Sequence, residues 1–257
     1  MSGTMSALDL RRVEEVSLNA LQTQRQLFYD GWLLRVSPGK ARRARSVNAH
    51  FGSTLPIGQK IAYCERLYEA RGLPVLFRMT PFVHPANLGD ELAARGYEAF
   101  DPTLGQVKAL AHPPEPRACD GVDIASPGID GFADAVALLQ ESTPEQRDAY
   151  HERMAHAPQV SRYLVAYAGG RIVGVGTAML EDGLAGIFSM ATAPDMRRRG
   201  IASAVLARLL AWSWEHGAAH AYLQVDAQNR DALPVYRNAG FATAYTYWYC
   251  GREGERR

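Results

Sequence analysis

The sequence predicts an α/β protein with a mixed sheet, and three observations carry that expectation. Ile187, Phe188 and Met190 form an apolar run bounded by Pro194, after which Ile201, Ala202, Val205, Leu206, Leu209 and Leu210 repeat every three or four residues. That is a buried strand passing through a tight turn, with Arg197, Arg198, Arg199 and Gly200, into a helix. Elsewhere, short alternating runs are bounded by Gly and Pro, as strands are. Finally, the order helix, glycine, strand, short helix, glycine-aromatic occurs twice, ending at Gly96-Tyr97 and again at Gly240-Phe241.

A chain of 257 residues with 47% hydrophobic content can bury a sizeable core. A net charge of +1 gives no global reason to expect nucleic acid or a membrane surface as partner. Cys64, Cys119 and Cys250 are too scattered for a disulfide framework or a zinc knuckle. With no apolar run long enough for a membrane span and no signal-peptide core in Met1 to Ser6, a cytoplasmic protein is expected.

In chain order, Leu8 to Gln26 reads as an amphipathic helix broken by Asp30-Gly31. Trp32 to Val36 and Ser46 to Phe51 alternate across a turn at Ser37 to Lys40, the pattern of an antiparallel hairpin. A helix from Ile57 to Arg71 stops at Gly72, and Leu73 to Met79 reads as a strand. Asn87 to Arg95 is a short helix and Tyr97 to Leu110 an extended segment. The proline-rich Ala111 to Arg117 reads as a linker. Beyond it come a short strand (Gly121 to Ala125), a helix (Phe132 to Leu139), and a second helix to His156 started by the capping box at Thr143 and Gln146. Gly169-Gly170 joins two strands, Glu181 to Gly183 turns into the central strand, and after Gly217 follow a strand (Ala221 to Val225), a helix (Arg230 to Asn238) and a last strand ending near Cys250.

Downstream of the basic turn, Asn229, Ala232, Tyr236, Gly240 and Phe241 fill the frame N-x-x-A-x-x-x-Y-x-x-x-G-F. Together with R-x-x-G-x-A at Arg197, Gly200 and Ala202, this resembles the GNAT superfamily of N-acetyltransferases over about residues 121 to 250. Because the element order repeats, with Gly72 to Gly96 spanning 24 positions and Gly217 to Gly240 spanning 23, the first half reads as a worn copy of the second, giving two GNAT-like halves, each a mostly antiparallel twisted sheet flanked by helices; two unrelated α/β units of similar element order are the alternative. Residues 1–112 would be a degenerate N-terminal domain, 113–120 the linker and 121–257 the acetyltransferase domain. The corresponding stretch Leu55 to Lys60 lacks R-x-x-G-x-A, so the first half should have no acyl-CoA site.

The resemblance implies acetyl-CoA as cosubstrate, no metal, and a small-molecule or peptide amine as acceptor. A helix N-terminus carries unpaired N–H groups and a partial positive charge, so the backbone of Arg198, Arg199, Gly200, Ile201 and Ala202 is the place for the diphosphate, with Arg197, Arg198 and Arg199 adding charge. Pantetheine would pair along Met190, Ala191 and Thr192 like an added strand. An N–H near Thr192 would face the oxyanion. Tyr236 would be the proton source for the thiolate, and Asn229 would either bind pantetheine or fix the helix start. Glu141, Glu181, Asp182 or a water chain are the candidates for the base. Acceptor contacts are expected from residues 140–155 and from Tyr245, Tyr247 and Tyr249, which share one strand face. His216 and His220 are separated by Gly217 and make no metal motif. Arg42, Arg43 and Arg45 read as a solvated basic hairpin. A non-catalytic acyl-CoA sensor and a transferase for longer acyl groups stay open, as do monomer and homodimer.

Overall fold

The first part of the chain forms α1 (Leu10–Ala20), β1 (Gln26–Tyr29), β2 (Trp32–Arg35), β3 (Val47–Asn48), α2 (Ile57–Glu69), β4 (Phe77–Met79), α3 (Leu88–Ala93) and β5 (Glu98–Ala109). The second forms β6 (Asp123–Ala125), α4 (Ile129–Leu139), α5 (Pro144–Ala155), β7 (Val160–Ala168), β8 (Arg171–Glu181), β9 (Leu184–Thr192), α6 (Ile201–Glu215), β10 (His220–Asp226), α7 (Ala232–Asn238) and β11 (Ala242–Gly251). This computed structural model describes residues 8–21, 23, 25–37 and 41–254; the turn expected at 38–40 and the last three residues lie outside the described residues.

The first helix is shorter than its apolar pattern suggests. Asp9 caps it by accepting from the Arg11 N–H, and it ends at Ala20; Gln26 and Leu27 belong to β1. Asp30 and Gly31, at φ 43° and 80°, close a two-residue turn that pairs β1 with β2, and that pairing outweighs the helical period. β2 and β3 pair antiparallel, as expected, through Leu33↔Asn48 and Leu34↔Val47.

One 11-stranded sheet runs through the described chain in the order β1-β2-β3-β4-β11-β5-β10-β9-β8-β7-β6. It is antiparallel except at two places: β3 lies parallel to β4 across α2, and β9 lies parallel to β10 across α6. The same sequence of connections thus occurs in both parts. Its centre is an exchange that no pattern announced, in which β5 lies between β10 and β11 while β11 lies between β4 and β5.

Glycines set the approach of α6 to the sheet. A Cβ on Gly176 would strike Met190 and come within 2.9 Å of Val205 and 3.0 Å of Leu209. With that space kept free, Ile201, Val205, Leu209, Leu223, Val225, Tyr236 and Phe241 share one core under α6 and α7. Burying a side chain of this size contributes about 1.5–3 kcal/mol. Val175, one residue from Gly176, faces the other way, toward Phe132 and Val136 of α4. On that face α1 packs Val13 and Val16 against Tyr222, Tyr245, Tyr247 and Tyr249. Helices α1, α4 and α5 therefore cover one face, and α6 and α7 the other. Among the described residues no helix is long and apolar enough to cross a membrane.

Candidate active site

β9 pairs with β10 only through Leu184, Ala185 and Gly186 against His220, Ala221 and Tyr222. Beyond Gly186, β8 holds β9 as far as Thr192 and β5 holds β10 as far as Asp226. A wedge-shaped opening separates the two. At its edge the β8–β9 register jumps from Phe188↔Thr177 to Ala191↔Val175, so Ser189 and Met190 lie opposite Gly176. Ser189 takes φ 52°, a left-handed conformation that costs about 1–3 kcal/mol in a non-glycine residue. The bulge turns Ser189 toward α5, where its hydroxyl is 2.8 Å from that of Tyr150, and leaves Met190 on the α6 face. Burial pushes the Tyr150 phenol up to about 12.

After β9 the chain winds through Arg198 (φ 59°) and Gly200 (φ 84°) into α6. Gly200 is needed for that φ, and a Cβ there would meet nothing within 4 Å, so the volume outside the turn is open. Among the described residues no acceptor takes the N–H groups of Arg198 to Ala202. The three arginines are exposed, and Arg197 reaches Asp231 at 3.3 Å.

Tyr236 projects from α7 into the core under α6, its ring edge-on to Phe241 at 6.1 Å. Its hydroxyl has no hydrogen-bond partner among the described residues, and burial pushes it up to about 12. Asn229 Oδ1 accepts from the Ala232 N–H at 3.0 Å and so fixes the start of α7. Glu141 is exposed just beyond α4, its N–H on the Leu138 carbonyl. Glu181 takes Arg12 at 3.1 Å, Asn19 at 2.8 Å and Gln159 at 2.9 Å, so both its oxygens are engaged, and Asp182 lies 3.5 Å from Arg12.

On the α1 face of the opening lies a polar cluster that the sequence did not announce. Arg78 of β4 holds both oxygens of Glu14, and Tyr245 also donates to Glu14. Burial pushes the Glu14 carboxyl up, and Arg78 with these hydrogen bonds more than offsets that, leaving it below its ordinary value. Gln224 of β10 donates to Ser17 at 2.9 Å and accepts from Arg43. Tyr245, Tyr247 and Tyr249 share this face and are buried. The expectation that Arg42, Arg43 and Arg45 form a solvated face is overturned: all three are half-buried, because Arg43 reaches α1 and β10 and Arg42 pairs with Asp101 at 2.6 Å. Among the described residues no group of three His, Cys, Asp or Glu could hold a metal ion.

Residues 132–241, which run from α4 through the parting strands and the start of α6 to the end of α7, match the Acetyltransferase (GNAT) family. The similarity to that family spans those residues and not the part of the chain before α4. It is 27% identical over 249 residues to the Bacillus subtilis (strain 168) protein named uncharacterized N-acetyltransferase YobR, covering 94% of this chain and 98% of that one. A mycothiol acetyltransferase of Clavibacter sepedonicus is 35% identical over 133 residues, covering 48% of this chain and 44% of the relative. A GCN5-related N-acetyltransferase from Kribbella flavida shares the fold over 95% of each chain, with a TM-score of 0.71 at 15% identity.

Proposed function

We propose that the protein transfers an acetyl group from acetyl-CoA to a primary amine by direct attack, in a single site at the β9–β10 opening. The observation that carries the proposal is the conjunction of N–H groups at Arg198 to Ala202 that have no acceptor among the described residues with a strand, β9, freed from its parallel neighbour beyond Gly186. The turn takes the diphosphate, and Arg198 and Arg199 add charge; charge-assisted hydrogen bonds of about 1.5–3 kcal/mol each outweigh a helix dipole of about 0.3–1 kcal/mol. Met190, Ala191 and Thr192 offer pantetheine a strand edge. In the transfer the amine nitrogen bonds to the acetyl carbon and the carbon–sulfur bond breaks. Tyr236 protonates the thiolate, and the proton shed by the amine leaves to water. A phenol held near 12 stays protonated at neutral pH, which suits that role.

The first half, in this reading, is a copy without an acyl-CoA site. Ahead of α2 the N–H groups of Thr54 and Leu55 donate to the Asp30 carboxylate at 3.0 and 2.8 Å, with Lys60 Nζ 3.2 Å from the same side chain. The chain's own carboxylate fills the anion position, and Pro56 stands directly before α2 as Gly200 stands before α6.

Calorimetry with acetyl-CoA, joined to a screen of amines for release of CoA thiol, tests the proposal. Binding together with thiol release for at least one amine is expected. No heat would overturn it, and binding with no release for any amine would point to a sensing module instead. Repeating the assay with propionyl- and succinyl-CoA fixes the acyl length.

A further inference from the structure

Two arginines from distant parts of the chain stack on rings that flank the Ser189 bulge, on the face away from α6 and α7. Arg43 precedes β3; its guanidinium carbon lies 5.9 Å from the centre of the Phe188 ring, and its Nη1 donates to Gln224 and, at 3.3 Å, to Ser17. Arg153 is on α5, its guanidinium carbon 5.1 Å from the centre of the Tyr150 ring, the ring whose hydroxyl meets Ser189. Among the described residues neither arginine has a carboxylate within ion-pair distance. Nε of Arg153 is buried with no hydrogen-bond partner, and so is Nη1 of Arg35, a side chain 2% exposed. Burial and the charge of Arg43 both act to lower the proton affinity of Arg153. Glu14 is the carboxylate of this cluster, and Arg78 already occupies both its oxygens. The cluster therefore holds more buried cationic charge than its own carboxylate balances, and an uncompensated buried charge is costly.

Resting on the transferase reading, we infer that the acceptor is an amine that also bears a carboxylate, held between Arg43 and Arg153 while its amino group enters the β9–β10 opening. Guanidinium forks match the two oxygens of a carboxylate, and both of Arg43's bonds leave from Nη1, so among the described residues its other N–H groups have no acceptor. The anion of CoA is handled elsewhere, at the turn before α6. A carboxylated amine thus enters from the α1 and α5 face and meets the thioester from the α6 and α7 face.

The test uses the full-length protein and a panel of α-amino acids, β-alanine and 4-aminobutyrate, each beside its carboxamide, with spermidine as a carboxyl-free polyamine. Release of CoA thiol and thermal-shift titration are both read, for wild type, Arg43→Gln and Arg153→Gln. Among acceptors, at least one carboxylate is expected to exceed its amide by about 10-fold or more in kcat/KM. Either substitution should erase that preference while leaving the calorimetric Kd for acetyl-CoA within about 2-fold. Carboxylates that bind in preference to their amides without thiol release would keep the clamp and sink the transferase reading. Amides or spermidine acetylated as well as the carboxylates, a preference untouched by both substitutions, or no preference in either readout would overturn the clamp.

Discussion

Replacing Glu14 by Gln tests whether the buried pair at the centre of the sheet holds the two parts of the chain together. Glu14 on α1 and Arg78 on β4 are 0% and 2% exposed, and Tyr245 of β11 and Gln224 of β10 also donate to Glu14. The variant keeps size and shape but leaves the guanidinium buried without a counter-charge. Removing one partner of such a pair costs about 3–5 kcal/mol. The Tyr247 ring, 3.8 Å from the Arg78 guanidinium carbon, offers the cation some compensation, so the lower end applies. About 3 kcal/mol at about 2–4 °C per kcal/mol lowers Tm by about 6–12 °C. Scanning calorimetry at pH 7 reads this directly. Glu14→Gln combined with Arg78→Met removes both charges and should recover most of the loss. A single variant within about 2 °C of wild type, or a double variant no better than the single, would refute the idea that the orphaned charge is what destabilises.

The same pair sets an acid limit. The Glu14 carboxyl lies below its unfolded value of about 4.3, so its contribution is complete above that pH and is lost as pH falls through the folded value; Glu14→Gln should flatten the acid slope of stability, and an unchanged slope would assign it to other carboxylates. Tyr236→Phe is expected to leave acetyl-CoA binding intact and cut turnover by about 10-fold or more, and unchanged turnover would remove Tyr236 from the mechanism. Because burial holds that phenol near 12, loss of the acid should not reduce the wild-type rate below pH 10. Gly200→Ala meets only the left-handed φ, a cost of about 1–2 kcal/mol, whereas Gly200→Glu adds negative charge to the cradle and should abolish CoA binding in calorimetry. Equal affinity for the two variants would show that the turn holds no phosphate.

Legibility in the sequence followed the range of the interactions. The α6 start could be read because its determinants are local: a glycine at φ 84°, and N–H groups that every helix leaves unpaired. The α5 start was equally plain, with Thr143 and Gln146 forming the reciprocal cap that their spacing predicts. Ser189 was opaque, since nothing in a serine specifies φ 52°, and that conformation persists because the β8–β9 register and Tyr150 hold it. The place of β5 was opaque for another reason, because an alternating strand names the face it buries and not the neighbour it will pair with. Arg43 was misread among its neighbours since its two hydrogen-bond partners lie 26 and 181 positions away. The proposed coenzyme side of the site rests on backbone geometry within one stretch of chain, the kind of feature that sequence pattern carries. The opposite side is assembled from α1, the segment before β3, α5 and β10, elements that meet only once the sheet is complete. Arg43 and Arg153, the side chains inferred to hold the acceptor, therefore lie where local pattern carries the least information.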